Sequence, residues 1–527
     1  MRTSGSQGEL KMKNISLTEI LKVALISLCL AFSAAAQLPG DLDPTFSGDG
    51  RLSDHYGSAY VAAVQADGKI LAAGTGYNEY DSDFAVARYN PDGSRDTAFG
   101  GGTGMVTTGI FYYGYDEVLS IAIQPDGKIV AAGVASTCYE VCALISFAVV
   151  RYNSDGSLDT GFGGDGVVVT VIASSDDRPY SVAIQPDGKI LVAGRSGASG
   201  QTDFTLVRYN TDGTLDSTFD SDGIVRTNIR GDDFGSSLAL QSDGKIVVVG
   251  ESWNGLWGAP NSSPDFAVVR YNPNGSLDTT FGQNGRVTTP MGNYSSNAFS
   301  VAIQTDGRIV AAGYSNNGSN LDFAIARYDL DGSLDATFDS DGKVTTAIGT
   351  GNEHARSVAI QADGKIVAAG PYSGSMNDDF AVVRYNANGS LDPTFGSGSG
   401  KATADFNNSN DNAYGITLDG NGRAVVVGDS NDTFALARFL LAPAQPANYE
   451  IAGRLTTSSG LAVRGARVVL EDGVGNLRYV LTNPFGYFRF QGVAAGTYTV
   501  TVKSKRHGSA SRTITVNSAI TDLVLQL

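Results

Sequence analysis

The stretch Phe299-Ser300-Val301-Ala302-Ile303-Gln304-Thr305-Asp306-Gly307-Arg308-Ile309-Val310-Ala311-Ala312-Gly313, with Phe323-Ala324-Ile325-Ala326-Arg327-Tyr328 after it, decides the fold. Two short apolar runs meet at Asp306-Gly307, and a third follows. Asp-Gly between β-branched runs signals a hairpin, because Gly accepts positive φ without a steric penalty. Runs of Val, Ile and Ala with little polar alternation predict strands buried on both faces. A short β-branched segment, Gly285-Arg286-Val287-Thr288-Thr289, stands before them, so residues 285–328 read as one four-stranded unit.

This unit recurs along the chain. Within residues 37–447 Phe-x-x-x-Arg occurs seven times, at Phe84/Arg88, Phe147/Arg151, Phe204/Arg208, Phe266/Arg270, Phe323/Arg327, Phe380/Arg384 and Phe434/Arg438. Asp-Gly-Lys/Arg followed by Ile begins at Asp67, Asp126, Asp187, Asp243, Asp306 and Asp363, and its last copy has decayed to Asn421-Gly422-Arg423. Leu-Asp-x-x-Phe begins at Leu42, Leu158, Leu215, Leu277, Leu334 and Leu391, with Arg95 replacing Leu in the second copy. Repeats of this length, each a small sheet that cannot bury its own faces, predict an all-β protein whose sheets cover one another in a ring. The expectation is a seven-bladed β-propeller over residues 37–440. A linear β-solenoid is the competing reading, and its rungs are usually shorter. The phase of the marks also predicts closure. Leu42-Asp43-Pro44-Thr45-Phe46 precedes the first unit, whereas nothing equivalent follows Arg438, so the N-terminal copy is expected to complete the last blade.

The succession Phe-Ala-Val-Val-Arg-Tyr-Asn-x-x-Gly-Ser-Leu-Asp-x-x-Phe, then Val-Ala-Ile-Gln-x-Asp-Gly-Lys-Ile, resembles the delta-60 repeat family of bacterial β-propellers over about residues 42–440. The resemblance implies the fold and brings no catalytic residue with it. Residues 441–447, Leu-Ala-Pro-Ala-Gln-Pro-Ala, read as a linker. Residues 448–527 lack the Asp-Gly-Lys/Arg and Leu-Asp-x-x-Phe marks. They alternate apolar and polar residues, as in Val463-Arg464-Gly465-Ala466-Arg467-Val468-Val469-Leu470, Gly486-Tyr487-Phe488-Arg489-Phe490 and Gly496-Thr497-Tyr498-Thr499-Val500-Thr501-Val502. That pattern predicts a small antiparallel β-sandwich. It resembles the carboxypeptidase regulatory-like, transthyretin-like domain, which implies an accessory or adhesive module.

Composition narrows function. Of 527 residues, 66 are Gly, only 17% are charged, and the net charge is -17. An acidic chain lacks the Lys and Arg needed for phosphate contacts, which argues against a nucleic-acid partner. Three His leave little for a catalytic zinc site. Charge is unevenly divided: residues 37–447 sum to -24 and residues 448–527 to +5. The second segment includes Lys503-Ser504-Lys505-Arg506-His507, a basic loop that suits solvent, an acidic neighbour or an anionic surface. Residues 1–36 carry Lys11, Lys13 and Lys22, the apolar run Val23–Phe32, then Ala34-Ala35-Ala36. That order predicts a secretory signal peptide, with the mature protein secreted, periplasmic or at the cell surface, monomeric and without a membrane span.

No Gly-x-Ser-x-Gly, His-Glu-x-x-His or phosphate loop is present, so no catalytic residue is assigned. A hydrolase or lyase with carboxylates on the propeller axis stays open as an alternative. The seven arginines Arg88, Arg151, Arg208, Arg270, Arg327, Arg384 and Arg438 recur too regularly for one active site, and are expected to pair with Asp of adjoining turns such as Asp278 and Asp335. Asp220, Asp222, Asp339 and Asp341 stand beside Gly turns and are candidate calcium ligands, although the spacing of a full calcium loop is missing. No other cofactor is expected. Loop length points to a binding face. From the Gly ending the third strand of the unit to the Phe opening the fourth, the common spacing is 10, but Gly133–Phe147 is 14 and Gly250–Phe266 is 16. The first long loop holds Cys138, Tyr139 and Cys142, a disulfide candidate in an oxidising compartment, and the second holds Trp253 and Trp257. Tyr77, Tyr80, Tyr112, Tyr113 and Tyr115 are expected on the same face. Aromatic side chains there suit an extracellular protein or a glycan. The reading is an exported, non-enzymatic binding or adhesion scaffold, with a lectin-like carbohydrate binder as the alternative.

Overall fold

A computed structural model describes residues 37–77, 81–137, 144–173, 176–198, 201–255, 262–374, 377–442, 449–472, 477–493, 496–504, 506–516 and 520–527. Among these, the chain forms strands and turns, with two single 3-10 turns at Gly100–Gly102 and Gly396–Gly398. No helix among them is long and apolar enough to cross a membrane. The predicted signal peptide of residues 1–36, and most of the 441–447 linker, lie outside the described residues. The chain divides after Ala442 into two compact units.

The first unit is a β-propeller. Its repeating sheet is Ser296–Ile303, Ile309–Asn316, Leu321–Tyr328 and Lys343–Thr346, paired antiparallel in that order. The unit drawn from sequence at 285–328 is therefore out of phase by one strand. Arg286–Thr289 pairs with the preceding Pro264–Tyr271 and closes the sheet before it. The cause is the Leu-Asp-x-x-Phe turn, which folds back on the arginine strand, as the Tyr271–Leu277 bridge shows, and delivers the short strand to the same sheet's outer edge. Counted this way, the pairings give seven four-stranded sheets. The last takes its outer strand from the N-terminus: Arg51–Asp54 pairs with Phe434–Ala437, and the same long strand continues as Gly57–Val64 into the first sheet.

Packing between sheets is equally regular. Val247, Val249, Phe266, Val268 and Phe281 of one sheet meet Ala298, Ala311, Ala324, Ala326 and Tyr328 of the next in one core. The small Ala face lets the neighbour's Val and Phe approach closely. The same kind of core joins the last sheet to the first, through Val425, Val427, Phe434 and Leu436 against Ala59, Ala72, Ala85 and Ala87.

The three sequence marks converge on one cluster per sheet. Arg208 Nε donates to Asp216 at 2.6 Å, Lys189 Nζ reaches the same carboxylate at 2.7 Å, and the Arg208 guanidinium lies 4.4 Å over Phe219. Arg208 also donates to the Pro273 carbonyl of the following repeat at 2.6 Å. Arg88, Arg151, Arg270, Arg327 and Arg384 repeat this with Asp96, Asp159, Asp278, Asp335 and Asp392. The seventh cluster pairs Arg438 with Asp43 at 2.9 Å, across the whole length of the ring. In the Asp-Gly turn only Gly307 has positive φ (87°), while Asp306 Oδ1 accepts the Arg308 N–H, so the turn closes from Gln304 to Arg308 rather than over two left-handed residues.

The second unit stacks a sheet of Tyr487–Val493, Tyr449–Thr456 and Ile520–Gln526 on one of Leu477–Leu481, Arg467–Asp472, Gly496–Ser504 and Gly508–Val516. Its core includes Ile451, Leu455, Val468, Leu470, Phe488, Phe490, Val500 and Leu523. One pairing differs from the antiparallel expectation: Tyr449–Thr456 and Ile520–Gln526 run parallel, because the chain crosses the other sheet between them. Ser504 pairs with Gly508, so Arg506 and His507 of the basic segment stand in a hairpin turn, and Lys505 lies outside the described residues.

Candidate functional site

The innermost strand of each propeller sheet carries one residue too many for its partner. Opposite Ala311–Gly313, the pairs are Val301–Ala311, Ser300–Ala312 and Ala298–Gly313, which leaves Phe299 as a bulge. A bulge kinks the strand and re-aims the extra side chain. Equivalent register shifts single out Tyr60, Leu119, Tyr180, Ser236 and Tyr414. In the sixth sheet the ladder resumes at Ser357–Ala369 below the His354-to-Pro371 hydrogen bond, which places Arg356 in the same position. A glycine inside each neighbouring strand, where the sequence pattern places the strand's end, makes this possible. A Cβ on Gly313 would lie 1.8 Å from the Asn297 carbonyl oxygen, so only glycine admits the approach.

All seven bulged residues line one cavity of about 850 Å³. Because one residue comes from each sheet, the cavity lies on the propeller axis. Ile145, Asp176, Thr202 and Asp232, at strand starts on the side of the inserted loops, complete its wall. The wall is aromatic, with Tyr60, Tyr180, Phe234, Phe299 and Tyr414. The rings of Tyr60 and Tyr414 are 5.0 Å apart.

Charged groups stand among these rings. Asp176 receives Arg178 Nε at 2.7 Å and Arg195 Nη2 at 2.9 Å, so one carboxylate serves two guanidinium groups. Arg195 lies 4.4 Å over Phe234 and Arg356 lies 4.2 Å over Phe299. Burial pushes Glu251 up to about 7, opposed by the hydrogen bond from Trp253 and the charge of Arg195. Burial, then the charge of Arg356, pushes His354 down to about 4, so its ring is neutral at physiological pH. Burial raises Glu117, which takes hydrogen bonds from the Tyr60 and Tyr115 hydroxyls. The site therefore offers stacking surfaces, guanidinium donors and neutral acceptors.

The residues singled out from sequence fall into three groups. Tyr115, Tyr77 and Trp253 sit close to the axial wall: Tyr115 on Glu117, Tyr77 near the same carboxylate, and Trp253 Nε1 donating to Glu251 Oε1 at 3.2 Å. Tyr112 and Tyr113 remain on the surface, 84% and 48% exposed, with ring centroids 4.2 Å apart. Tyr80, Cys138, Tyr139, Cys142 and Trp257 lie outside the described residues. The acidic turn residues serve the backbone. Asp222 Oδ1 accepts the Ile224 N–H, Asp341 Oδ1 accepts the Lys343 N–H, and Asp220 and Asp339 hold positive φ of 48° and 45°. They form no three-carboxylate group; among the described residues that grouping occurs at Asp379, Asp405 and Asp411, whose oxygens lie within 4.8 Å of one another. The bulged residues escaped the sequence reading, yet they left a signal. In x-Ser-Val-Ala-Ile the position x is Tyr180, Phe299 and Arg356, and its counterparts are Tyr60, Leu119, Ser236 and Tyr414, a varying column inside a repeating block.

An all-β chain built from repeated sheets around a lined axis, with a small β module after it, defines a β-propeller with an accessory domain. The chain belongs to the β-propeller family described as domain of unknown function DUF5122, matched at residues 65–99, 124–162, 185–219, 241–281, 304–338 and 361–395. It carries a carboxypeptidase regulatory-like domain at 450–527. No curated protein matches the sequence. Among solved structures, the extracellular domain of the hybrid two-component system BT4673 from B. thetaiotaomicron is similar at 10% identity and TM-score 0.39. That match covers 93% of this chain, and the chain spans 59% of that domain's length. A polysaccharide lyase of family PL25, an ulvan lyase, is similar at 12% identity and TM-score 0.46, over 75% of this chain and 95% of the lyase. Sqt1 from Chaetomium thermophilum is similar at 13% identity and TM-score 0.41, over 77% and 98%.

Proposed function

We propose that the chain is an exported, non-enzymatic binding protein whose propeller holds a carbohydrate in the axial cavity. The observation that carries this reading is the ring of seven bulged positions, five of them aromatic or cationic, aimed at one space of about 850 Å³. A cavity of that size suits a small ligand, and a few polar groups on an aromatic wall fix its orientation. Tyr and Phe faces stack on the apolar faces of sugar rings, and Arg and Asn supply hydrogen bonds to hydroxyls. The secretory pattern of residues 1–36 supports the exported location. The test is a glycan array with the full mature chain, alongside Phe299→Ala and Tyr414→Ala. Glycan binding that falls at least tenfold in both variants is the expected result. No glycan binding, or equal binding by all three proteins, overturns the proposal.

A second reading keeps the outer face for a protein partner. It rests on Tyr112 and Tyr113, an exposed pair of rings in contact at an interplanar angle of 57°, at the variable end of the second sheet. Capture of an envelope protein that survives Phe299→Ala but not Tyr112→Ala with Tyr113→Ala favours this reading over the first. A hydrolase and lyase substrate screen separates both from an enzyme on the axis.

A further inference from the structure

The 24 Lys and Arg of residues 37–447 sum against 48 Asp and Glu, so cations here are scarce and almost all are committed. Seven arginines and seven turn cations serve the inter-sheet clusters. The others bond to carboxylates or backbone carbonyls, as Arg226 does to Asp203 and Lys401 to the Ala347 carbonyl. Arg356 is the exception. Among the described residues it has no ion pair and no hydrogen bond, and its Nε is buried without a partner. Around it lie the Phe299 ring, at 4.2 Å, and the Tyr314, Tyr414 and His354 side chains, none of which is a carboxylate. It stands at the bulged position of the sixth sheet, where the side chain enters the axial cavity. On the same wall Arg195, whose Nε is also buried and unpaired, and Arg178 both pair with Asp176, and Arg195 acts on the nearby Glu251, while the other lining carboxylate, Asp232, has no ion pair to Arg356.

A guanidinium taken largely out of water without a counter-charge is unfavourable, and a protein with twice as many acids as bases had partners to spare. A planar fork of donors, held over an aromatic ring and facing an open space, is suited to a carboxylate or a sulfate. We infer that the axial cavity takes an anionic sugar unit, with Arg356 donating to its carboxylate or sulfate oxygens while Phe299 and Tyr414 pack against the ring. This rests on the carbohydrate reading above and specifies the class of sugar. Arg356 is then a ligand-binding residue that lowers stability in the empty protein, as functional groups often do.

The test uses paired oligosaccharides on the full mature chain, by titration calorimetry. Oligogalacturonate is compared with its methyl ester, and a sulfated galactan oligomer with its desulfated form. Binding of one or both acidic members, at least tenfold tighter than their neutral twins, supports the inference, and the two pairs tell carboxylate from sulfate. Arg356→Met is expected to lose at least tenfold in affinity for the acidic member, while Arg356→Lys retains part of it. The melting temperature of the empty Arg356→Met variant is expected to equal or exceed that of the wild type. Equal binding of acidic and neutral twins leaves the carbohydrate site standing and overturns the anion. Absence of binding to all four removes both readings. Unchanged acidic affinity in Arg356→Met, or a lower melting temperature, overturns the role of Arg356. Should Arg356→Met fail to fold, the lower stability itself counts against an unpartnered charge, and the twin comparison on the wild type decides the anion.

Discussion

Asp43→Ala probes the seam of the ring directly. Asp43 Oδ2 accepts Arg438 Nε at 2.9 Å and Arg423 Nη1 at 3.1 Å, and its Oδ1 accepts the Thr45 N–H and hydroxyl at 3.0 and 2.7 Å. The Arg438 side chain is 1% exposed. Removing the carboxylate strands that guanidinium in a dry core, which costs about 3–5 kcal/mol when one partner of a buried pair is deleted. Arg438→Met alone leaves Asp43 with Arg423 and is expected to cost about 1–3 kcal/mol, the loss of a charged hydrogen bond in the core. The double variant should cost less than the sum by about 2 kcal/mol, because neither partner is then left alone. Equilibrium urea unfolding of the four proteins gives this cycle. Asp216→Ala, in a cluster with the same chemistry within one continuous stretch of chain, is the control. Hydrogen exchange separates the two: Asp43→Ala should speed exchange at Arg51–Asp54 and Phe434–Ala437, the pairing that closes the ring, while Asp216→Ala should leave it protected. A cost for Asp43→Ala below about 1 kcal/mol, additivity within about 0.5 kcal/mol, or an identical exchange pattern in both variants would refute the reasoning.

Glu251 gives a pH signature. Its folded pKa of about 7 exceeds the usual Glu value, so the folded state holds the proton more tightly, and stability falls as pH rises from about 4.5 through 7. Glu251→Gln should therefore match the wild type near pH 4.5 and exceed it by about 3 kcal/mol at pH 8 in urea unfolding, and a pH-independent difference would count against it. Trp253→Phe removes the one indole donor to this carboxylate and should move the same transition to higher pH. Asp379 is pushed up to about 6, first by burial and then by Asp405 and Asp411, so Asp379→Asn should raise the melting temperature at pH 8 in metal-free buffer, keep about half of that gain at pH 5 and lose it below about pH 4.

How much of this was legible in the sequence depends on what each residue does repeatedly. Arg208, Asp216, Lys189 and Phe219 act together in every sheet, so selection for one geometry wrote the same letters at a fixed spacing. The strand phase was not legible, because Arg286–Thr289 is β-branched whichever sheet it joins, and only the fold-back of the Leu277 turn assigns it. The parallel pair in the second unit was hidden for a similar reason: Tyr449–Thr456 and Ile520–Gln526 lie at opposite ends of the domain, and alternation carries no sense of direction.

The axial cavity was hidden by the regularity that revealed the fold. Insertions at Gly133–Phe147 and Gly250–Phe266 change loop length and so draw the eye, whereas Tyr60, Phe299 and Arg356 substitute one for another with no change of length. Yet the structural demand on that column is small. The bulge is imposed by backbone contacts, such as that between Gly313 and the Asn297 carbonyl, and the side chain it carries lines the axial cavity rather than the core between sheets. A position fixed in backbone and turned away from the inter-sheet core is where a repeat protein can diversify without repacking that core. The seven copies hold Tyr, Leu, Tyr, Ser, Phe, Arg and Tyr there, around a core of Val and Ala that scarcely changes. Repetition thus marks what holds the ring together, and variation at one register within the repeat marks what the ring presents to its axial cavity.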